Sequence, residues 1–310
     1  MSEIKKIYFI HEGKAAYPEI AAYRSFFAPS FETEEILPTE VDSRPDLSRS
    51  ICWYMMGFYP QRPPAAFVIH DYRSLSVGRS WMLKDLTKRV ANAKPDCRIF
   101  QNRDILRALH FRQDVPTVFL PMGVPDFVTD YRLLPTEPPL CDFCYIGVMS
   151  RERRSHRMLN SFLKRFGVHK TFYLFGEPEP GFAERYAAYP NIVFQGRKSQ
   201  EDVFAALRRS RVAVNYFPTH HPHKWQTPTK LLEYASLGLR ILSNEQVQSR
   251  HAVQAYGVQT LWGPTKHMFC NVPDRLDWPD NSAFDPTPLL WPSVIDKSGI
   301  ARRIEEGIKA

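Results

Sequence analysis

Residues 226–238 combine helix signals with a charge pattern that indicates a charged ligand. Thr227 or Thr229 is expected to cap this helix. Lys230 then falls in the first turn, where the helix dipole disfavours a cation unless an anion compensates it. Because unpaired N–H groups at a helix start also attract phosphate, the pattern predicts a phosphate site. The alternative is a surface pair of Lys230 with Glu233, worth about 0.2–0.5 kcal/mol.

The flanking segments place this helix in a βαβ unit. Residues 212–217 precede it as a buried strand, and residues 239–243 follow it as another. Ligands of open parallel sheets bind outside the carboxyl ends of the strands, where residues 218–229 must lie. The neighbourhood therefore favours the phosphate site over the surface pair.

A second cationic group precedes another predicted helix. Arg151, Arg153 and Arg154 lie just before the helix that begins at Ser155. Cations at a helix start oppose its dipole, so the cluster also indicates an anion. The alternative is a solvated helix start.

Strands and helices alternate along the whole chain, which is typical of parallel α/β sheets. The predicted strands are residues 4–10, 51–56, 65–69, 98–100, 117–120, 143–148, 171–175, 192–194, 212–217, 239–243 and 260–262. We predict two Rossmann-like doubly wound domains facing across a cleft. Their expected bounds are residues 1–125 and 141–297, with a linker at 126–140 and a terminal helix at 298–310.

Composition and absent motifs narrow the classes of function. The 310 residues carry 41 Lys and Arg against 33 Asp and Glu, a net charge of +8 that favours anionic partners. No GxGxxG follows a strand and no GxxxxGK[ST] occurs, which argues against dinucleotide-dependent dehydrogenases and P-loop NTPases. The absence of a leader pattern and of an apolar run of about 18 residues predicts a cytoplasmic protein.

Residues with metal-binding side chains have structural interpretations. The lone Cys141-x-x-Cys144 pair lies in an apolar strand and is expected to be structural. The histidines at 220, 221 and 223 have no nearby acidic ligand in the sequence, so we predict a polar loop there.

Short motifs follow one another in a definite order in the second half. They are Tyr145-Ile146-Gly147, the arginines at 151, 153 and 154, Leu174-Phe175-Gly176, residues 191–196 and residues 230–238. In this order they resemble the donor-binding domain of GT-B glycosyltransferases, most closely the retaining family-4 enzymes of bacterial polysaccharide and lipopolysaccharide synthesis. The likeness covers about residues 140–245 and is looser in the first half.

The resemblance implies that a nucleotide sugar binds to the second domain, without a cofactor or an essential metal. Its diphosphate would lie at the helix start near Thr227, and Glu233 would accept hydrogen bonds from the ribose. Lys230 and one of the arginines, with Arg154 as the catalytic candidate, would neutralise the leaving diphosphate. The other donor-binding candidates are Gly147, Arg151, Arg153, Gly176, Arg197 and Thr229.

One position departs from the family pattern. The retaining enzymes have two glutamates separated by seven residues, and Trp225 stands where the first belongs. Trp225 would stack on a sugar or an acceptor, or residues 220–226 reach the site in another register. The stereochemical outcome and the identity of the sugar stay open.

Two pairs of residues near predicted strand ends are candidates on the acceptor side. Asp71 would accept the proton of the attacking hydroxyl, and His70 would orient that hydroxyl or bond to the donor sugar. His11 and Glu12, after the first strand, form the rival pair. A purely structural role for these strand-end residues is the alternative.

The leading hypothesis is a metal-independent hexosyltransferase that acts on a glycan or lipid-linked acceptor in bacterial cell-envelope polysaccharide synthesis. The alternatives are a sugar-nucleotide epimerase of related fold and a non-catalytic nucleotide-sugar-binding subunit. No nucleic-acid partner is expected.

Residues 79–89 have the composition of an interfacial helix, with Trp81 and aliphatic residues among Arg79, Lys84, Lys88 and Arg89. This pattern predicts peripheral binding to the anionic surface at the inner face of the membrane. The alternative is a surface helix whose Leu83 and Leu86 face the sheet.

Overall fold

The structure, a computed structural model, describes residues 4, 6–13, 17–112, 114–135 and 137–309. The chain divides into two compact units. The first comprises Met1–Gly123, Trp225–Thr227 and Leu290–Ala310, and the second comprises Val124–Lys224 and Pro228–Leu289. Among the described residues, no helix is both long enough and apolar enough to span a bilayer.

Helices and strands alternate through both units. The strands are β1 (Lys6–Ile10), β2 (Glu32–Ile36), β3 (Ser50–Met55), β4 (Phe67–Tyr72), β5 (Cys97–Phe100), β6 (Thr117–Phe119), β7 (Cys141–Ile146), β8 (Phe172–Phe175), β9 (Ile192–Gly196), β10 (Ser210–Asn215), β11 (Ile241–Asn244) and β12 (Leu261–Gly263). The α-helices are α1 (Pro18–Phe27), α2 (Trp81–Ala91), α3 (Arg103–Leu109), α4 (Val128–Leu133), α5 (Ser155–Phe166), α6 (Gln200–Arg208), α7 (Thr229–Ser236), α8 (Val247–Tyr256), α9 (Trp291–Ser298) and α10 (Ile300–Lys309).

Each unit contains one six-stranded sheet of parallel strands, which confirms the predicted α/β class. The first sheet has the order β2-β1-β3-β4-β5-β6 and the second has the order β12-β11-β10-β7-β8-β9. The chain reverses its direction of winding between β1 and β3 in the first unit, and between β7 and β10 in the second. Loops at such switch points diverge and leave a crevice for a ligand.

The edge strand β2 was not predicted, because its sequence ETEEI carries three glutamates. Paired cations allow these residues to form a strand. Lys6 Nζ lies 3.2 Å from Glu32 and 2.7 Å from Glu34, and Arg44 lies 2.9 Å from Glu34. Charged residues are well suited to an edge strand, where they discourage pairing with another chain.

Three other segments differ from the sequence prediction. The expected linker at 126–140 contains α4, and the expected terminal helix is preceded by α9. Strand β4 continues to Tyr72, so His70 and Asp71 lie inside the strand rather than at its end. All six residues of β4 are buried, including the polar His70 and Asp71 that indicated a strand end in the sequence.

The helices α9 and α10 pack on the first unit. The ring of Trp291 makes an edge contact with Tyr23 of α1 at 6.0 Å between centroids. Gly307 lies so close to Phe67 that a Cβ atom there would overlap the aromatic ring. The core of the first unit is therefore completed by residues 290–309.

A buried charge cluster lies in the first unit around Asp71. Tyr23 Oη and Trp53 Nε1 donate to Asp71 Oδ2 at 3.1 and 3.3 Å, while Arg73 lies 3.8 Å from both Asp71 and Glu19. Burial raises the pKa of Asp71 to about 6, although Arg73 acts in the opposite direction. Asp71 is thus a fully buried carboxyl that takes up a proton more readily than an exposed aspartate does.

This cluster predicts a stability that depends on pH. Because the folded-state pKa of Asp71 lies above its ordinary value of 3.8, its stabilising contribution is complete below pH 4 and is lost as the pH rises through 6. A shift of this size corresponds to about 3 kcal/mol. Urea unfolding of the wild-type protein and Asp71→Asn at pH 4.5 and 7 should show about 2 kcal/mol of this loss, and only in the wild type, because the unfolded-state carboxyl is already largely ionised at pH 4.5. Parallel pH profiles would contradict the assignment.

Candidate functional site

Lys230 lies at the switch point of the second unit, one residue after the start of α7. Its Nζ atom lies 4.3 Å from the ring centre of Tyr145 at the end of β7, and 3.3 Å from the hydroxyl oxygen of that residue. A second ring, that of Phe217 after β10, lies 5.9 Å from Nζ. In the part of the chain that is described, no carboxylate lies within ion-pairing distance of Lys230. The two strand ends thus hold a cation against aromatic rings.

Helix α7 begins without a side-chain cap. Pro228 occupies the capping position with extended backbone, and no side chain there accepts a hydrogen bond from the described first turn. The predicted cap by Thr227 or Thr229 is therefore wrong. Thr227 belongs to the first unit, where its backbone N–H donates to Gln101 Oε1 at 3.0 Å. A helix start without a side-chain cap keeps its N–H groups available to water or to a ligand.

Two glycines form the surface beside Lys230. Gly147 follows β7 with a φ of 144°, and a Cβ atom there would lie 2.8 Å from Lys230 Nζ. Gly176 follows β8 with a φ of 123°, and a Cβ atom would overlap the carbonyl oxygen of Gly147. Gly147 requires glycine for its conformation, and Gly176 requires it both for conformation and for space. The Gly147 and Gly176 candidates are thus brought together, next to the cation.

Lys230 and Arg153 place two positive charges near each other in the site. Burial lowers the pKa of Lys230 to about 7, and the charge of Arg153 lowers it further while Glu233 opposes the shift. Burial likewise raises the pKa of Glu233 to about 7, against the hydrogen bond from Gln200 and the charge of Lys230. Two cations that disfavour each other here would both be stabilised by a bound anion.

Glu233 lies one turn after Lys230 on α7 and is half-buried. Its Oε1 atom accepts a hydrogen bond from Gln200 Nε2 at 2.9 Å, where Gln200 begins α6. This contact fixes one carboxylate oxygen and leaves the other without a partner among the described residues. The free oxygen can accept hydrogen bonds from a ligand.

The arginine loop after β7 is held by backbone and hydroxyl contacts. Ser150 Oγ accepts from the N–H of Arg153 at 3.1 Å, and Tyr216 Oη donates to the carbonyl of Arg154 at 3.1 Å. Arg154 has a left-handed φ of 57° and an exposed side chain, while Arg151 lies 3.8 Å from Glu179. Of these arginines, Arg153 is the half-buried one whose charge acts on Lys230.

A buried amide positions Phe217. Asn244, at the end of β11, accepts from the N–H of Phe217 at 2.7 Å and donates to its carbonyl at 3.0 Å. Sequence reasoning assigned no role to Asn244, Gln200 and Phe217, or to Tyr145 within its motif, because neutral and aromatic residues give no charge signal. The positions of Tyr145 and Asn244 at strand ends were the available clue.

The histidines of the loop after β10 lie near one another. His220 and His223 have ring centres 5.8 Å apart, and His223 lies 5.9 Å from Phe217. Among the residues that the structure describes, no group of three or more His, Cys, Asp or Glu side chains is arranged to hold a metal. Cys141 and Cys144 are buried in β7. Arg197 follows β9 and is exposed.

The remaining candidates lie in the first unit. His70 is 1% exposed between the rings of Tyr54 and Tyr72, and burial lowers its pKa to about 3, so it stays neutral. Trp225 packs against an apolar cluster that includes Tyr72, and its carbonyl accepts from Asn102 at 2.9 Å. His70 therefore lacks the open position that the sequence suggested, whereas Trp225 is half-buried against this cluster.

His11 and Glu12 follow β1, at the switch point of the first unit. His11 Nε2 lies 3.3 Å from Glu35, and its Nδ1 accepts from the N–H of Gly13 at 3.1 Å. The Glu12 side chain is exposed. Unlike His70 and Asp71, this pair is accessible from solvent.

Comparison with known proteins identifies the fold. No protein-family model and no curated protein sequence matches the chain. AviGT4, a glycosyltransferase involved in avilamycin A biosynthesis, aligns with a TM-score of 0.60 and 12% identity over 99% of each chain. Alr3699/HepE from Anabaena in complex with UDP gives 0.61 and 10%, over 98% of this chain and 99% of its own.

The same fold also occurs in another class of enzyme. UDP-N-acetylglucosamine 2-epimerase from Rickettsia bellii aligns with a TM-score of 0.55 and 9% identity, over 99% of this chain and 98% of its own. The chain therefore has the GT-B fold, which glycosyltransferases and epimerases share. A fold can host different reactions, so the choice of function depends on the site.

Proposed function

We propose that this protein is a glycosyltransferase that uses a nucleotide-sugar donor. The observation that carries the proposal is the placement of Lys230 over Tyr145 at the β7/β10 switch point, with Glu233 one turn along α7. A cation without a carboxylate partner, beside an uncapped helix start and two obligatory glycines, suits a diphosphate. Structural neighbours that include a UDP complex support this choice.

Each residue of the site has a distinct role in the proposal. The diphosphate would lie between the Gly147 loop and the start of α7, where Lys230 and Arg153 neutralise it. Glu233 would accept hydrogen bonds from the ribose hydroxyls through its free oxygen. As the glycosidic bond breaks, negative charge grows on the leaving diphosphate, and the fixed cations stabilise it. We propose that these two cations make a metal unnecessary.

The finer assignments follow the family-4 resemblance. We propose a hexosyl unit, a glycan or lipid-linked acceptor of bacterial cell-envelope polysaccharide synthesis, and a cytoplasmic place of action. His11 and Glu12 are the acceptor-side residues that we favour, because both follow β1 and have solvent access. Asp71 and His70 would need to become accessible before they acted on an acceptor.

An assay with a panel of sugar nucleotides tests the proposal. The protein would be incubated with UDP-, GDP- and dTDP-sugars, with and without a cell-envelope extract. Nucleotide release that depends on the extract indicates a transferase. Conversion of the sugar without an acceptor supports the epimerase and overturns the transferase. Binding without either reaction overturns both enzymes and indicates a non-catalytic subunit.

The two pKa shifts predict proton exchange on binding, with opposite signs at Lys230 and Glu233. A bound diphosphate raises the pKa of Lys230 above about 7, so that residue takes up a proton, whereas ribose hydroxyls lower the pKa of Glu233 and release one. Titration calorimetry with UDP, GDP and dTDP in buffers of different ionisation enthalpy measures the balance. At pH 7.5, we expect Glu233→Gln to take up protons when the diphosphate binds, and Lys230→Met to release protons. Identical proton numbers in the two variants would refute the assignment.

A further inference from the structure

Helix α2 of the first unit is turned so that its aliphatic side chains face solvent. Met82, Leu83, Leu86 and Val90 are 65%, 63%, 42% and 69% exposed. The alternative interpretation, in which Leu83 and Leu86 face the sheet, is therefore wrong. Surface helices normally bury such a stripe, so its exposure requires an explanation.

The opposite face of α2 is held by a buried acidic residue. Asp85 is 8% exposed, and its Oδ1 atom accepts from the N–H of Ser76 at 3.0 Å. Lys88 Nζ lies 3.7 Å from the same oxygen, with its side chain only 14% exposed. These polar contacts fix the helix with its aliphatic face outwards, and they remove Lys88 from the predicted set of surface cations.

Exposed cations accompany the aliphatic stripe on α2 and just before it, and Lys84 Nζ donates to the carbonyl of Val77 at 3.2 Å. Residues 82, 86 and 90 follow one another at steps of four, and residue 83 lies beside them on the same face. Arg79 precedes the stripe, and Lys84 and Arg89 are exposed on the same helix. Within the fully described segment 79–91, the sole acidic side chain is the buried Asp85.

We infer that α2 is an interfacial anchor that binds the surface of an anionic lipid bilayer. Aliphatic side chains that enter the acyl boundary and flanking cations that meet anionic headgroups are what such a surface requires. A second copy of the chain fits poorly, since a two-fold pairing of these helices would bring the same three cations together. The inference does not depend on the proposed sugar transfer.

Vesicle binding tests this inference with the full chain. The protein should sediment with vesicles of phosphatidylcholine and phosphatidylglycerol at low salt, and much less with phosphatidylcholine alone. Leu83→Gln/Leu86→Gln should lower the partition coefficient about tenfold or more, because two aliphatic groups no longer enter the bilayer. Arg79→Gln/Lys84→Gln/Arg89→Gln should lower it about fivefold per charge on anionic vesicles.

Matched variants separate this surface from general effects. Leu133→Gln removes an 82% exposed leucine from α4, and Lys266→Gln/Lys297→Gln/Arg302→Gln removes three exposed cations elsewhere. Leu133→Gln should bind less than twofold more weakly than wild type. The cation control should do the same once the long-range effect of its lower net charge is subtracted. Circular dichroism would confirm that every variant is folded.

Three results, of two kinds, would overturn the inference. One is equal binding of the wild type to neutral and anionic vesicles, or unchanged binding of both α2 variants. The other is self-association of the wild type in sedimentation velocity that the Leu83→Gln/Leu86→Gln variant abolishes, which would assign the stripe to a second copy of the chain.

Discussion

Replacing Lys230 by alanine should lower turnover with the true donor and acceptor by about 10²–10³, the effect of losing one preorganised charge-stabilising donor. The reason is that Lys230 acts most strongly on charge that develops as the diphosphate leaves. Donor affinity should change less than turnover. Steady-state kinetics, with kcat and KM determined separately for the donor, measures the difference.

The control variants show whether the loss belongs to this position. Lys266→Ala removes an exposed lysine of the same unit and should have wild-type kinetics. Lys230→Ala should remain folded, because the half-buried side chain contributes contacts with Tyr145 and Phe217 and no ion pair among the described residues. Near-normal turnover in folded Lys230→Ala would show that the phosphate site is placed wrongly.

Glu233→Ala should weaken donor binding by roughly 1.5–3 kcal/mol, the contribution of hydrogen bonds to a charged group. This corresponds to about a 10- to 150-fold rise in the dissociation constant. Because the ribose is held alike before and during bond cleavage, kcat should change little. Calorimetric titration with the nucleoside diphosphate that the panel selects gives the affinity directly.

Two further variants separate the ribose contact from the contact with Gln200. Gln200→Ala removes the observed donor to Glu233 Oε1, and should weaken binding less than Glu233→Ala. Glu184→Ala, at an exposed glutamate of the same unit, should bind like wild type. A large loss of kcat in Glu233→Ala with unchanged affinity would assign Glu233 to the chemical step instead.

The sequence predicted the parallel sheets because buried strands and amphipathic helices leave strong periodic patterns. Strand β2 was not predicted, because its glutamates become compatible with a strand only through Lys6 and Arg44, which are distant in sequence. The orientation of α2 was not predicted, for a related reason. Its composition was recognised, but the contact of Asp85 with the N–H of Ser76 decides which face is buried.

The candidate site likewise combines residues that local sequence patterns indicate with residues that only tertiary contacts bring together. Lys230, Glu233, Gly147 and Gly176 were predicted as site residues from motif order and from helix signals, and their role in donor binding stays a prediction. Their partners Tyr145 and Gln200 act through contacts across strands and helices, which no local pattern records. His70 was misplaced because a polar residue in an apolar run looks like the end of a strand, although β4 continues beyond it.

The return of α9 and α10 to the first unit affects the order in which the molecule can fold during synthesis. All segments of the second unit have left the ribosome once Leu289 has emerged. The first unit begins earlier in the chain, yet Tyr23 and Phe67 receive their covering residues, Trp291 and Gly307, only afterwards. The unit whose synthesis starts first is therefore the last to complete its core, and a chaperone would meet its uncovered aromatic side chains in the meantime.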